Sequence, residues 1–418
     1  MLLAAIDVGN GYMKSLFMDP ATDTRFAVDI PSSAAYMTAT DDLKVPADQA
    51  SSVIEDIFNQ ADVSFDSVLV KDLGRRLLGQ RGVDSGLALE EFDVYSHISK
   101  ANQDLSGIMI LGMCACKALQ DYFNAYHSLP ADTITEEIRL GVALPIREYK
   151  KFRKEFGDRL RDNTHYVTFH NFEQRVRIEI KFTDVQVLAE GACAQYAVYD
   201  KGEAFADSML AECRKYEALD GITGADIIQA KTTIGIDIGE GTVNLPVFDA
   251  GAFNNDVSMT FDKGYGTILN NTNDRLQDMG MSFKSRKELS AYLHDVPNAI
   301  QRPVYAKVSK VRDEETVSFI NEVKLQFIKI LSRVGVRTEV VYVYGGGATE
   351  LYGKLYPALM DAMKSFGVEI PVLYLDSRYS RFLNRDGLMY VVKHVYIASG
   401  GTVAKRLVTD NNADGVNA

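Results

Sequence analysis

The sequence predicts an α/β protein built as two similar halves around a cleft, and two observations predict it. Residues 232–249, TTIGIDIGEGTVNLPVFD, read as an apolar strand reaching Asp237, a glycine turn and a second apolar strand. β-Branched and small residues on both sides of such a turn are what a β-hairpin uses. The glycines let the backbone approach a ligand closely and aim its N–H groups at an anion. Residues 5–19, AIDVGNGYMKSLFMD, repeat the pattern at a constant offset of 230: Ile6, Asp7, Gly9, Gly11 and Asp19 match Ile236, Asp237, Gly239, Gly241 and Asp249. Two such units far apart in one chain imply a duplicated architecture with a pseudo-twofold cleft. Each half then offers one phosphate-cradling turn and one aspartate to the same ligand, which describes a nucleotide clamp. A carboxylate beside a phosphate calls for a divalent metal to offset the charge.

Composition narrows the classes. A chain of 418 residues is long enough for two or more domains with a sizeable core. The net charge of −12 argues against broad affinity for DNA or anionic membrane. Cysteines 114, 116, 193 and 213 lack the spacing of a metal site or disulfide framework, so buried free thiols in a reducing compartment are expected. The six histidines are scattered without a metal pattern. No leader is expected ahead of the first strand, which starts at Leu2, and no apolar run approaches the ~20 residues that span a bilayer. A cytoplasmic protein is the expectation.

Along the chain, Lys14 lies seven residues after Asp7 on the outgoing strand, where it can reach back over the turn to a phosphate. Residues 28–92 read as a small separate unit, with a helix over 47–60, a strand over 63–71 and an exposed loop over 75–85. A long helical region follows over 95–126, then a buried strand over 138–145 and a basic amphipathic helix over 147–161. That helix suits a solvated face or a docking surface for an acidic neighbour, including a second copy. A hairpin over 167–182 leads into VQVLAEGACAQY, residues 185–196, where a strand ends, Glu190 stands at its tip and Gly191 and Ala192 open an alanine-rich helix. At a cleft mouth Glu190 is placed to orient or deprotonate water.

Residues 200–231 read as a polar helical connector, and 262–267 as a further glycine turn opening a helix. Helices are expected over 282–294 and 314–334. The run TEVVYVYGGGATEL, residues 338–351, is a strand ending in three glycines and then a helix, where a flat ring or ribose can lie against bare backbone. A short strand over 372–375, a polar turn over 380–387 and a last helix over 389–406, interrupted at Gly400 and Gly401, precede a frayed polar tail over 409–418.

The order of these motifs resembles the actin, sugar-kinase and heat-shock chaperone ATPase superfamily. The two hairpins are similar to its phosphate loops, residues 185–196 and 396–405 to its two connecting helices, and 342–351 to its adenosine motif. The DxGxxxxK spacing of Asp7 to Lys14 and the LGVALP strand carry the likeness further, toward the plasmid-segregation actins of the ParM and Alp group. The resemblance implies an α/β actin-like fold of two duplicated RNase H-like domains around a nucleotide cleft. Domain I would span 1–230, with 28–92 as its subdomain and a C-terminal helix over about 396–418 packing back on it. Domain II would span 231–395, with a helical subdomain over about 265–335.

By the same resemblance Glu190 positions the attacking water, while Asp7 and Asp237 hold Mg²⁺ through its waters. Lys14 and the turns Gly9, Asn10, Gly11, Tyr12 and Gly239, Glu240, Gly241, Thr242 hold the phosphates. Gly345, Gly346, Gly347 and Ala348 flank the nucleoside of ATP or GTP. Tyr12 is bulky for such a turn and Glu240 adds a carboxylate, two departures from the pattern. The implied activity is nucleoside triphosphate hydrolysis coupled to homopolymeric filaments. These segregate plasmid DNA through a DNA-binding adaptor on a centromere-like site, without direct contact to nucleic acid or membrane. A small-molecule kinase of the same fold and a non-polymerising nucleotide-binding scaffold are the alternatives.

Overall fold

Alternating and continuous apolar runs dictate two sheets, one in each half. In a computed structural model, which describes residues 1–37, 44–93, 98–367 and 369–404, the first sheet has ten strands. They are β1 (Leu2–Val8), β2 (Tyr12–Asp19), β3 (Thr24–Pro31), β4 (Ser33–Met37), β5 (Asp62–Asp66), β6 (Arg75–Leu78), β7 (Leu89–Glu91), β8 (Ile134–Leu144), β9 (Thr164–Phe169) and β10 (Val176–Ala189). The order is β3-β2-β1-β8-β10-β9-β5-β6-β4-β7. The second sheet comprises β11 (Thr233–Ile238), β12 (Val243–Leu245), β13 (Val247–Asp249), β14 (Ala252–Phe253), β15 (Met259–Phe261), β16 (Val340–Tyr344) and β17 (Val372–Tyr374).

The duplication is visible in the topology. In one half β3-β2-β1 pair antiparallel and β8 and β10 join parallel; in the other β15-β12-β11 pair antiparallel and β16 and β17 join parallel. The central strands β1, β11 and β16 are buried along their whole length, as strands covered on both faces must be. Helix Asp104–Tyr126 buries Ile108, Ile110, Leu111 and Leu119 completely against the first sheet. Each such aliphatic contributes about 1.5–3 kcal/mol relative to exposure. Helices Arg302–Val334 and Ala348–Ser365 cover the second sheet with Phe327, Ile330, Leu331, Leu355 and Leu359.

Helices Ala192–Met209 and Leu383–Ala398 pass between the halves and pack on each other. Gly387 makes this possible: a Cβ there would lie 1.8 Å from the Cys193 carbonyl oxygen. Only hydrogen fits.

Several local expectations are corrected. Residues 75–85 are not an exposed loop but β6 and the short helix Gly79–Asp84, with Arg76 buried beneath the Tyr36 ring and Gly79 at φ +63°. Charged residues disguised a strand paired on both sides, by β5 and β4. The 47–60 region divides into helices Ala50–Glu55 and Ile57–Gln60 after a 3₁₀ turn, and the strand that follows is shorter, Asp62–Asp66. The helix beginning the 95–126 region starts at Asp104, and Tyr95 lies outside the described residues. The polar turn over 380–387 runs into a helix from Leu383, where Leu383 and Gly387, then Leu388 and Val392, are buried four residues apart. The last helix therefore runs Leu383–Ala398 and stops before Gly400, whose φ of +92° closes it. The tail over 409–418 lies outside the described residues. The second hairpin is broken into β12 and β13 because Pro246 between them has no N–H to give the ladder. All four cysteines are free and buried.

Candidate functional site

The two glycine turns face each other. A Cβ on Gly11 would sit 3.6 Å from Cγ of Glu240, so the tip of one hairpin touches the tip of the other. Each turn is closed by its own backbone, Gly9 N–H donating to Asp7 O (3.0 Å) and Gly239 N–H to Thr242 O (2.9 Å). At Gly9 a side chain would strike the Tyr12 carbonyl at 2.4 Å. The strands carry Asp7 and Asp237 to this point, both about 95% buried. Strand β10 brings Glu190, also buried rather than standing open at a mouth, followed by Gly191 at φ +80°.

Each carboxylate has a different partner. Lys14, directly across the ladder from Asp7, donates Nζ to Asp7 Oδ2 at 3.1 Å. Asn384 donates Nδ2 to Asp237 Oδ2 (2.9 Å) and accepts from the Gly191 N–H (3.0 Å). Lys100 Nζ donates to Glu190 Oε1 (2.9 Å) and Asn244 Nδ2 to Glu190 Oε2 (3.1 Å). Burial, with repulsion from Asp7 and Glu190, pushes the Asp237 carboxyl up to about 7 against the Asn384 hydrogen bond and Lys14. Burial likewise raises Glu190 against the pull of Lys100. Three buried carboxylates thus meet two ammonium groups, and the shortfall falls on Asp237.

Glu190 is held from both halves. Asn244 Oδ1 accepts from Thr260 Oγ1 (2.8 Å), and Thr260 Oγ1 accepts from the Arg147 N–H (3.3 Å) at the start of helix Ile146–Arg161. Glu148 of that helix accepts from the backbone N–H groups of Lys100 and Ala101 (2.9 and 3.1 Å). The ring Glu190–Asn244–Thr260–helix–Lys100 therefore closes across the cleft. Three of the helix's seven basic residues are engaged here. Arg147 pairs with Asp262 (2.7 Å), Lys150 reaches Ser258 O (3.1 Å), and Arg159 holds Asn102 (2.8 Å). The helix straps the halves together through Arg147 and Lys150, while Lys151, Arg153, Lys154 and Arg161 keep the exposed basic face its sequence suggests. A cavity of about 320 Å³ lies beside it, lined by Asn10 and Thr242 from the turns and by Lys100, Arg147 and Thr260.

The triple-glycine turn abuts the same place. Gly345 has φ +99°, and a Cβ would lie 2.4 Å from Ile238 O and 2.6 Å from Asp237 Oδ1. Gly347 N–H donates to Ile238 O (2.9 Å), and its Cα face packs on Tyr265, whereas Gly346 has open space. The N–H groups of Tyr265 and Gly266 bind the carbonyls of Gly239 and Glu240 (2.9 Å each). The Glu240 carboxylate is answered by Arg286 at 3.5 Å. Tyr12 is half exposed, its ring 5.7 Å beneath the Arg381 guanidinium, which crosses the cleft to Asp29 (2.7 Å).

Every residue singled out from the sequence thus lies at or beside this junction. Lys100, Asn384, Thr260 and Arg286 carry no motif and were not foreseen. Asn244 had a signal, since it occupies the position 230 residues after Lys14. Among the described residues no group of three or more His, Cys, Asp or Glu is arranged to hold a metal by itself. No helix among them is long and apolar enough to cross a membrane.

Comparison with known proteins places this architecture. No protein-family model and no curated protein sequence matches the chain. Solved structures do. The fold is similar to ParM in a 15-stranded filament from Clostridium botulinum (17% identity, TM-score 0.59, 94% of this chain and 99% of that one). It is similar to Bacillus thuringiensis ParM with ATP (17%, 0.57, 95% and 99%), and it spans about half (49%) of a hybrid containing two ParM mutants from that organism. An archaeal actin homolog matches as well (12%, 0.57, 94% and 100%). The chain has a mixed α/β actin-like fold over nearly its full length.

Proposed function

We propose that this chain is an actin-like nucleoside triphosphatase that assembles into homopolymeric filaments and moves plasmid DNA through a DNA-bound adaptor. One observation carries the reading: two opposed glycine turns converge on three buried carboxylates with one cation short. The turns 9–12 and 239–242, with Lys14, hold the phosphates of ATP or GTP, and Gly345, Gly346, Gly347 and Ala348 lie against the nucleoside. The resemblance to ParM solved with ATP, and to ParM solved as a filament, supports substrate and assembly. Asp7 and Asp237 fit Mg²⁺ held through its waters, a mode that ion prefers, and the raised Asp237 marks where positive charge is lacking. When bound, the ion offsets charge on the phosphates.

Glu190 takes a proton from the attacking water as its oxygen bonds the γ-phosphorus and the bond to the β–γ bridging oxygen breaks. Its raised affinity for protons suits that task, and Lys100 and Asn244 fix its orientation. Lys14 and the turn N–H groups balance the charge that develops. The polymer touches DNA only through its adaptor, consistent with the acidic chain.

Right-angle light scattering and phosphate release on adding Mg²⁺-ATP or Mg²⁺-GTP test this, with wild type and Glu190→Gln compared. Nucleotide-dependent filaments that outlast wild type in the variant support the reading. Absence of assembly with both nucleotides, across salt and protein concentration, overturns it.

A further inference from the structure

Val296 and Ile300 are 95% and 89% exposed, and Val304 one turn on is 48% exposed. Val304 stands on the first turn of helix Arg302–Val334, and Val296 and Ile300 on the turn between that helix and helix Arg286–His294. This turn is not a loose loop. Asn298 Oδ1 accepts from the Ile300 and Gln301 N–H groups (3.0 Å each), and Asn298 O accepts from Gln301 and Arg302 (3.1 Å each). Aliphatic side chains held in water by a built turn mark an interaction surface.

The charge around that tip is opposite to the rest of the chain. Residues 284–310 contain six Lys or Arg and two acids, a net +4 in a chain of −12. Lys284, Lys287, Arg302 and Lys307 are exposed, and none is within ion-pair distance of a carboxylate among the described residues. The mirror image lies elsewhere on the chain. Residues 200–226 contain seven acids and three bases, a net −4. There the bases are consumed locally: Lys201 on Asp386, Arg214 on Asp207 and Lys215 on Glu212. Asp200, Glu203, Glu217 and Asp220 remain exposed with no ion pair among the described residues. Gly224 packs so closely on Glu203 that a Cβ would lie 2.1 Å from its carbonyl oxygen, which folds the end of this run back on the helix that carries Asp200 and Glu203. Met209, Tyr216 and Ile222 are only partly buried beside them and offer apolar surface.

We propose that the basic, aliphatic tip around Val296–Val304 docks on the acidic 200–226 face of a second copy of this chain. The tip rests on the cluster of Leu269, Leu276, Leu289 and Val308, and the acidic face on a separate cluster beneath β16 and β17. The two patches are therefore different surfaces, and a contact between different surfaces passes from copy to copy and builds an open polymer wherever its rotation does not close a ring. The inference rests on the filament reading and specifies where one of its contacts lies. Opposite charges speed and orient the encounter, and the aliphatic side chains supply the dry centre.

The test measures critical concentration by pelleting with Mg²⁺-nucleotide, on the full chain. Arg302→Glu with Lys307→Glu is expected to raise it ten-fold or more, as is Ile300→Asp alone, with binding of fluorescent nucleotide unchanged. Adding Glu217→Lys and Asp220→Lys to the first pair restores opposite charges at every contact, and assembly returns to within about three-fold of wild type. Rescue excludes misfolding as the cause. Wild-type assembly with an unchanged critical concentration in Arg302→Glu/Lys307→Glu overturns the proposal, and so does failure of the four-fold variant to recover. If wild type itself does not assemble, the filament reading falls and this contact with it.

Discussion

Lys14 and Asn244 occupy equivalent places in the two hairpins, 230 residues apart, each directly across the ladder from its hairpin's aspartate. They do different things. Lys14 folds back onto Asp7, whereas Asn244 leaves Asp237 to Asn384 and reaches over the cleft to Glu190 of the other half. A duplicated scaffold has kept its backbone and divided its chemistry. One hairpin sets an ammonium group on its own carboxylate; the other extends a neutral amide to the carboxylate of the opposite half. Asp237, left with a neutral donor, is the carboxylate whose affinity for protons rises to about 7.

The comparison can be broken at its centre first. Glu190→Gln is expected to slow turnover ~100-fold or more in single-turnover phosphate release, with nucleotide affinity near wild type. Next, the two equivalents separate by parameter. Lys14→Met removes a charge-assisted contact and weakens nucleotide binding ~10- to 100-fold in titration calorimetry. Asn244→Leu leaves binding within a few-fold and lowers kcat about ten-fold. If both variants lose binding alike, the division of roles is wrong.

Smaller effects sharpen the picture. Gly345→Ala, at a positive φ and against Ile238 O, destabilises by about 1–3 kcal/mol in urea melts, while Gly346→Ala, which faces open space, stays within about 0.5 kcal/mol. Last comes pH. Asp237 binds its proton more tightly folded (about 7) than at its ordinary value of 3.8, so the folded state carries the extra proton between those limits. Its contribution to nucleotide-free stability is full below pH 4 and is lost as pH rises towards 7. Asp237→Asn should flatten that part of the melting temperature's pH dependence; an unchanged slope places the titration elsewhere.

Much of this was legible in the chain. The hairpins, the Glu190–Gly191 junction and the triple-glycine turn are local backbone devices, written in glycine spacing and apolar runs. Lys100, Asn384 and Thr260 were not, because their partners lie 90, 147 and 16 residues away along the chain and no local pattern announces such a meeting. The basic run over 147–161 reads as a solvated face, which Lys151, Arg153, Lys154 and Arg161 keep; no local pattern announces that Arg147 and Lys150 reach Asp262 and Ser258 of the other half. Residues 75–85 misled because Arg76 is a charged residue buried under a ring.

Gly387 carries one more consequence. Where two helices cross with only a hydrogen between one of them and a carbonyl of the other, their separation is set to the width of bare backbone, like a pin cut to its bore. These are also the helices that pass between the two sheets, so the spacing of the halves is fixed here, away from the turns at Gly11 and Glu240. A bulkier residue at 387 would force the two helices apart without touching either turn.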